Sequence, residues 1–90
     1  MSPSHSLLYI GNEDYCPSCR VLSPILKAEA GDLGLPVTWL DADEDLKEIA
    51  PFNVESLPTV IVMSCGHEIG RIVGAYPQAK LREKLKALIC

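Results

Sequence analysis

The chain has 90 residues, 48% of them hydrophobic, with one Trp, three Tyr and one Phe. This describes one small domain spanning residues 1–90, with enough aliphatic side chain for a compact core, so disulfide staples are not obligatory. Eight basic residues against twelve acidic ones give a net charge of −4, which disfavours nucleic acid or an anionic membrane as partner, because both demand a basic face.

Met1-Ser2-Pro3-Ser4-His5 is not a basic segment followed by an apolar one, so no secretory signal is read there. A reducing cytoplasmic compartment is the expectation, with His5 as a mobile surface residue. Four cysteines in such a compartment point to chemistry or free thiols rather than to a framework. Leu7-Leu8-Tyr9-Ile10, closed by Gly11-Asn12, is a continuous apolar run. It predicts a strand buried on both faces, as in a parallel sheet. Cys16-Pro17-Ser18-Cys19 follows, with Pro17 suited to the first position of a helix. Val21, Leu22, Ile25 and Leu26 continue at helical spacing. Pro24 inside that helix deletes the bond to the Arg20 carbonyl and predicts a kink. Gly31 and Gly34 end the element.

Pro36 opens a second strand, Val37 to Asp41. Asp43, Glu44 and Asp45 crowd the start of a short second helix, with Asp43 as its expected N-cap and Pro51 as its end. Leu57-Pro58 precedes the apolar run Thr59-Val60-Ile61-Val62-Met63. That run is the longest in the chain and falls far short of the roughly 20 residues a membrane helix needs. Ser64 to His67 read as a tight turn. Ile69 to Gly74 alternate as an edge strand. The last helix starts near Pro77 with Leu81, Leu85, Leu88 and Ile89 inward, and Lys80, Arg82, Glu83, Lys84 and Lys86 toward solvent. The order is βαβαββα. It predicts a four-stranded mixed α/β sheet with helices on both faces and a right-handed crossover between the first two strands.

Two thiols three positions apart can close a small ring and reopen it. Such a ring constrains almost nothing in the unfolded chain, so it is suited to redox work rather than to cross-linking. The spacing alone also fits half of a tetrahedral zinc site. At a helix N-terminus, unpaired N–H groups and the dipole lower the pKa of the first thiol. Cys16 is therefore the expected nucleophile and Cys19, one turn in, the resolving thiol. Ser18 is either a donor to the Cys16 thiolate or a solvated serine, and Arg20 is read as a surface residue. Cys65 and Cys90 are read as free and incidental. Cys65-Gly66-His67 would complete a zinc site only if the hairpin turn lay beside the first helix's start, and the predicted topology sends it to the other end. No metal and no cofactor are expected.

Three blocks resemble the thioredoxin family, and the resemblance covers nearly the whole chain. They are Asp14 through Leu26 around the dithiol, Val54-Glu55-Ser56-Leu57-Pro58-Thr59, and Gly66 through Ala75. The resemblance implies a thioredoxin fold and a dithiol–disulfide oxidoreductase that reduces protein disulfides and acts as a monomer. Its partner for recharging would be a thioredoxin reductase, a flavoenzyme, or else glutathione. It further implies a cis bond before Pro58, and substrate contacts from Tyr15, the Leu57 backbone, Pro58 and Gly74. Some features depart from the family. Pro17-Ser18 stands where thioredoxins usually have Gly-Pro, and a proline after the first Cys is the glutaredoxin habit. The family's buried acid, six residues before the first Cys, falls on Ile10. Glu13 or Asp14, through water, is the replacement proton acceptor the sequence offers. A glutathione-dependent glutaredoxin-type enzyme and a non-catalytic or zinc-binding redoxin adaptor are the alternative readings. The missing Gly-Gly then Cys-Asp signature after the hairpin counts against the first.

Overall fold

A computed structural model of the chain describes residues 4–89. Its elements are β1 (His5–Gly11), α1 (Pro17–Leu33), β2 (Val37–Asp41), α2 (Leu46–Ile49) run on into a 3-10 turn over Ala50–Phe52, β3 (Thr59–Ser64), β4 (His67–Val73) and α3 (Gln78–Ile89). The strands lie in the order β2-β1-β3-β4. β2 runs parallel to β1, while β3 and β4 are antiparallel to their neighbours. This is the βαβαββα mixed sheet that the sequence leads one to expect.

Pairing sorts the side chains onto two faces, because directly opposed residues point the same way. Tyr9, Val60 and Ile72 are cross-strand partners, as are Leu7 and Val62. With Cys19, Leu22, Leu26 and Ala30 of α1 and Leu81 and Leu85 of α3 they form the main core. Ile10, Leu8, Ile61 and Arg71 belong to the opposite face. There the Arg71 guanidinium donates to the Phe52 carbonyl at 2.9 Å and brings the 3-10 turn over the sheet.

Several local expectations change. His5 is a half-buried residue of β1 paired with Ser64, not a mobile end. Val21 is 57% exposed, and the buried stripe of α1 is Cys19, Leu22, Leu26, Glu29 and Ala30. Gly31 lies within α1, which ends at Leu33 with Gly34 as its left-handed cap. The N-cap of α2 is Asp45, whose side chain accepts instead from the Asp41 amide at 2.7 Å. Asp43 is released for another task. Arg82 does not simply face water: it hydrogen-bonds the buried Glu29 and, at 2.7 Å, Asp32. Cys90 lies outside the described residues.

Candidate active site at the mouth of helix α1

Register decides where the site lies. Gly11 is opposite Asp41, Ile10 is opposite Thr59, and Thr59 is opposite Val73. The end of β1, the end of β2, the start of β3 and the end of β4 therefore share one edge of the sheet. Cys16, the Leu57-Pro58 bond and Gly74 all attach to that edge. The β3–β4 turn lies at the other end, where the Cys65 amide donates to the Ser4 carbonyl. Cys65-Gly66-His67 is thus separated from the dithiol by the length of the strands. Among the described residues, no group of three or more His, Cys, Asp or Glu is placed to hold a metal.

Asn12 organises the loop between β1 and α1. It is buried, 3% exposed. Its Oδ1 accepts from the amides of Asp14 (2.8 Å) and Tyr15 (3.2 Å), and its carbonyl accepts from the Cys16 amide at 3.2 Å. Its Nδ2 donates to Asp43 Oδ2 at 3.2 Å, and the Tyr15 hydroxyl donates to Asp43 Oδ1 at 3.0 Å. That hydrogen bond, with smaller effects of burial and nearby acids, holds the Tyr15 phenol above its ordinary pKa. In the sequence Asn12 stands only as the close of the first apolar run. An asparagine directly after a strand is a turn former through this side-chain-to-amide bonding, which is the signal that could have marked it.

Cys16 is the N-cap of the 17-residue α1, with Pro17 next and no acid in the first turn. Its sulfur accepts from the Cys19 amide at 3.2 Å. The backbone amide, not the exposed Ser18, is therefore its donor. Cys16 and Cys19 are joined in a disulfide with Cα atoms 5.2 Å apart. Cys16 is half-buried and Cys19 is fully buried. One sulfur thus meets solvent and its partner backs it from the core. Arg20 is exposed and its guanidinium donates to the Glu13 carbonyl at 2.9 Å.

The Leu57–Pro58 bond is cis. Pro58 is buried, and its carbonyl accepts from the Gly74 amide at 2.8 Å. Gly74 has φ +98°, with open space where a Cβ would stand. Only glycine adopts that backbone freely. Leu57 packs half-buried against the core, and Tyr15 and Val73 stand exposed at the same edge.

Ile10, the position where the family's buried acid was expected, points to the face away from α1. The residue beneath the dithiol is Tyr9. Its hydroxyl lies 3.3 Å from the Cys19 carbonyl oxygen and 3.2 Å from Glu13 Oε2. Asp14 is exposed and does not reach it. Successive residues of a strand face opposite sides of the sheet, so Tyr9 and not Ile10 shares the side of Cys19.

A buried sulfur one helical turn behind a half-exposed one, already joined to it, defines a dithiol–disulfide centre. The comparisons agree with that class. A family model described as Thioredoxin matches residues 11–87. A thioredoxin of Staphylococcus haemolyticus is 36% identical over 73 residues, 79% of this chain and 70% of the relative. The Fasciola hepatica thioredoxin structure superposes with a TM-score of 0.84 at 24% identity, covering 97% of this chain and 83% of the other. A variant thioredoxin from Halobacterium salinarum gives 0.85 at 20% identity, covering 98% and 77%. The chain belongs to the thioredoxin family, has the thioredoxin fold, and is a thioredoxin-type thiol–disulfide oxidoreductase with Cys16 and Cys19 as its cysteine pair. Among the described residues, no helix is long and apolar enough to cross a membrane.

Proposed function

We propose that this protein reduces disulfide bonds in protein substrates through Cys16-Pro17-Ser18-Cys19. The observation that carries this reading is the placement of Cys16, half-buried at the N-terminus of a 17-residue helix with an amide aimed at its sulfur. In the reduced form the same groups stabilise a Cys16 thiolate. The thiolate attacks a substrate disulfide. A Cys16–substrate bond forms, and the other substrate sulfur leaves with the electron pair. Cys19 then attacks Cys16, closing the intramolecular disulfide and releasing the second substrate sulfur. The substrate leaves reduced by two electrons.

The substrate chain lies extended against the Leu57 backbone beside the cis bond to Pro58. Gly74 leaves room for it, and Tyr15 forms an apolar rim. Recharging needs two electrons from a reductase of thioredoxin reductase type, and a reducing cytoplasmic setting suits the exposed free Cys65. Insulin reduction driven by dithiothreitol tests the catalysis. We expect turnover by the wild-type chain and its loss, by at least about a hundredfold, in Cys16→Ser. Wild-type activity no faster than dithiothreitol alone would overturn the reading. A thioredoxin reductase with its nicotinamide donor is expected to sustain turnover, and faster turnover with glutathione would select the glutaredoxin-type alternative.

A further inference from the structure

One groove on the main-core side of the sheet opens between α1 and β2. Its volume is about 450 Å³, and it reaches from solvent to the ring of Tyr9 and the backbone of Gly11. Trp39, exposed on the edge strand, forms one wall, with its ring centroid 4.9 Å from that of Tyr9. Pro24 of α1 forms another. The charged groups on the groove are Glu13 from the loop, Lys27 from α1 and Asp41 from β2.

The inner end of this groove stops at Gly11, and the Cys19 sulfur lies beside the same glycine. A Cβ on Gly11 would stand 2.5 Å from the Tyr9 hydroxyl oxygen and 3.0 Å from the Cys19 sulfur. The phenol oxygen and the buried sulfur therefore share the small space that a glycine leaves open. The outer end touches water, because Glu13 is exposed. From the phenol a hydrogen bond leads outward to that carboxylate. Glu13 Oε2 lies 3.2 Å from the Tyr9 hydroxyl, while Oε1 accepts from the Ser23 hydroxyl at 3.0 Å and is held in place by it. The hydrogen bonds trace this connection from the phenol to the carboxylate, and the phenol oxygen and the Cys19 sulfur both border the space at Gly11.

We propose that Tyr9 and Glu13 form a proton relay for Cys19, the phenol passing the proton between the buried sulfur and the exposed carboxylate. The inference rests on the reading of Cys16 as the attacking thiol and adds the fate of the second proton. Cys19 enters the resolving step as a thiol. Its proton goes to the Tyr9 oxygen as the Tyr9 proton goes to Glu13. The Cys19 sulfur, now a thiolate, forms its bond to Cys16 as the substrate sulfur leaves with its electron pair. Glu13 then returns its proton to solvent through the groove. When a reductase reopens the disulfide, the same chain runs backwards and protonates Cys19. Burial, reinforced by the Glu13 charge and hydrogen bond, raises the phenol far above its ordinary pKa. Tyr9 therefore stays neutral and transmits protons without storing one.

The test separates the two sulfurs in time. Reduced protein is mixed with the aromatic disulfide of thionitrobenzoate in a stopped-flow instrument. The coloured thiolate leaves once as Cys16 attacks and again as Cys19 attacks the mixed disulfide. In Tyr9→Phe and Glu13→Gln the first phase should keep its wild-type rate. The second should slow at least about tenfold at neutral pH and rejoin the wild type in alkali, where Cys19 ionises unaided. A second phase unchanged at neutral pH in either variant overturns the relay, as does one slowed by the same factor at every pH. Glu13 is exposed, so its variant carries the test even if loss of the Tyr9 hydroxyl weakens folding. Absence of the first phase in the wild type would instead count against Cys16 as nucleophile.

Discussion

At the residue scale, the site depends on what is missing at Gly11 as much as on what is present at Cys16. A methyl group at Gly11 would collide with the Tyr9 hydroxyl and crowd the Cys19 sulfur. Both neighbours belong to the packed core, Tyr9 being 4% exposed and Cys19 fully buried. Gly11→Ala should therefore destabilise the oxidised protein by about 1–3 kcal/mol, the usual cost of overfilling a packed interior. Urea denaturation monitored by the single tryptophan, Trp39, measures this. The same substitution should slow ring closure between the two cysteines. Thiol counting after a pulse of oxidant reads that rate. The requirement was hidden in the sequence, where Gly11 reads only as the end of a strand.

At the element scale, α3 is fastened to α1 by charge as well as by Leu81 and Leu85. Glu29 projects from the buried stripe of α1 and is 0% exposed. It accepts from Arg82 and Gln78 of α3, and Arg82 also reaches Asp32. Hydrogen bonds from Arg82 and then Gln78 hold the Glu29 carboxyl below its ordinary pKa, outweighing the effect of burial. The folded chain thus binds that proton less readily than the unfolded chain. The resulting stability is fully present above the ordinary carboxylate value and is lost as pH falls through the lowered folded value. Glu29→Gln should lower the urea midpoint at neutral pH. The gap to wild type should narrow as the solution is acidified through the lowered folded value, where the wild-type carboxylate also loses its charge. A gap independent of pH would assign the effect to packing instead. Helical periodicity alone marks Glu29 as an intruder on an apolar stripe; its partner sits some fifty residues on, beyond the reach of any local pattern.

At the scale of the whole molecule, the sheet separates the chemistry from the remaining thiol. The dithiol, Pro58 and Gly74 crowd one edge, while Cys65 occupies the β3–β4 turn at the opposite edge with φ +52°. Cys65→Ser should leave insulin reduction at the wild-type rate and leave the Cys16–Cys19 disulfide able to form. Thiol titration before and after oxidation checks the second point. A loss of activity would mean that the two ends communicate.

The order of elements could be read from the chain because β1 and β3 contain continuous apolar runs and α1 carries Pro17 at its start and Gly34 at its end. The dithiol and its helix-mouth setting were readable for the same reason: Cys16, Pro17 and Cys19 lie within one turn, and local spacing governs their geometry. The Asn12–Asp43 bond, the Arg82–Glu29 tie and Tyr9 beneath Cys19 were not readable. Each joins residues whose nearness depends on strand register or helix docking. A register displaced by one position exchanges the two faces of a strand, which is why Tyr9 rather than Ile10 meets the buried sulfur.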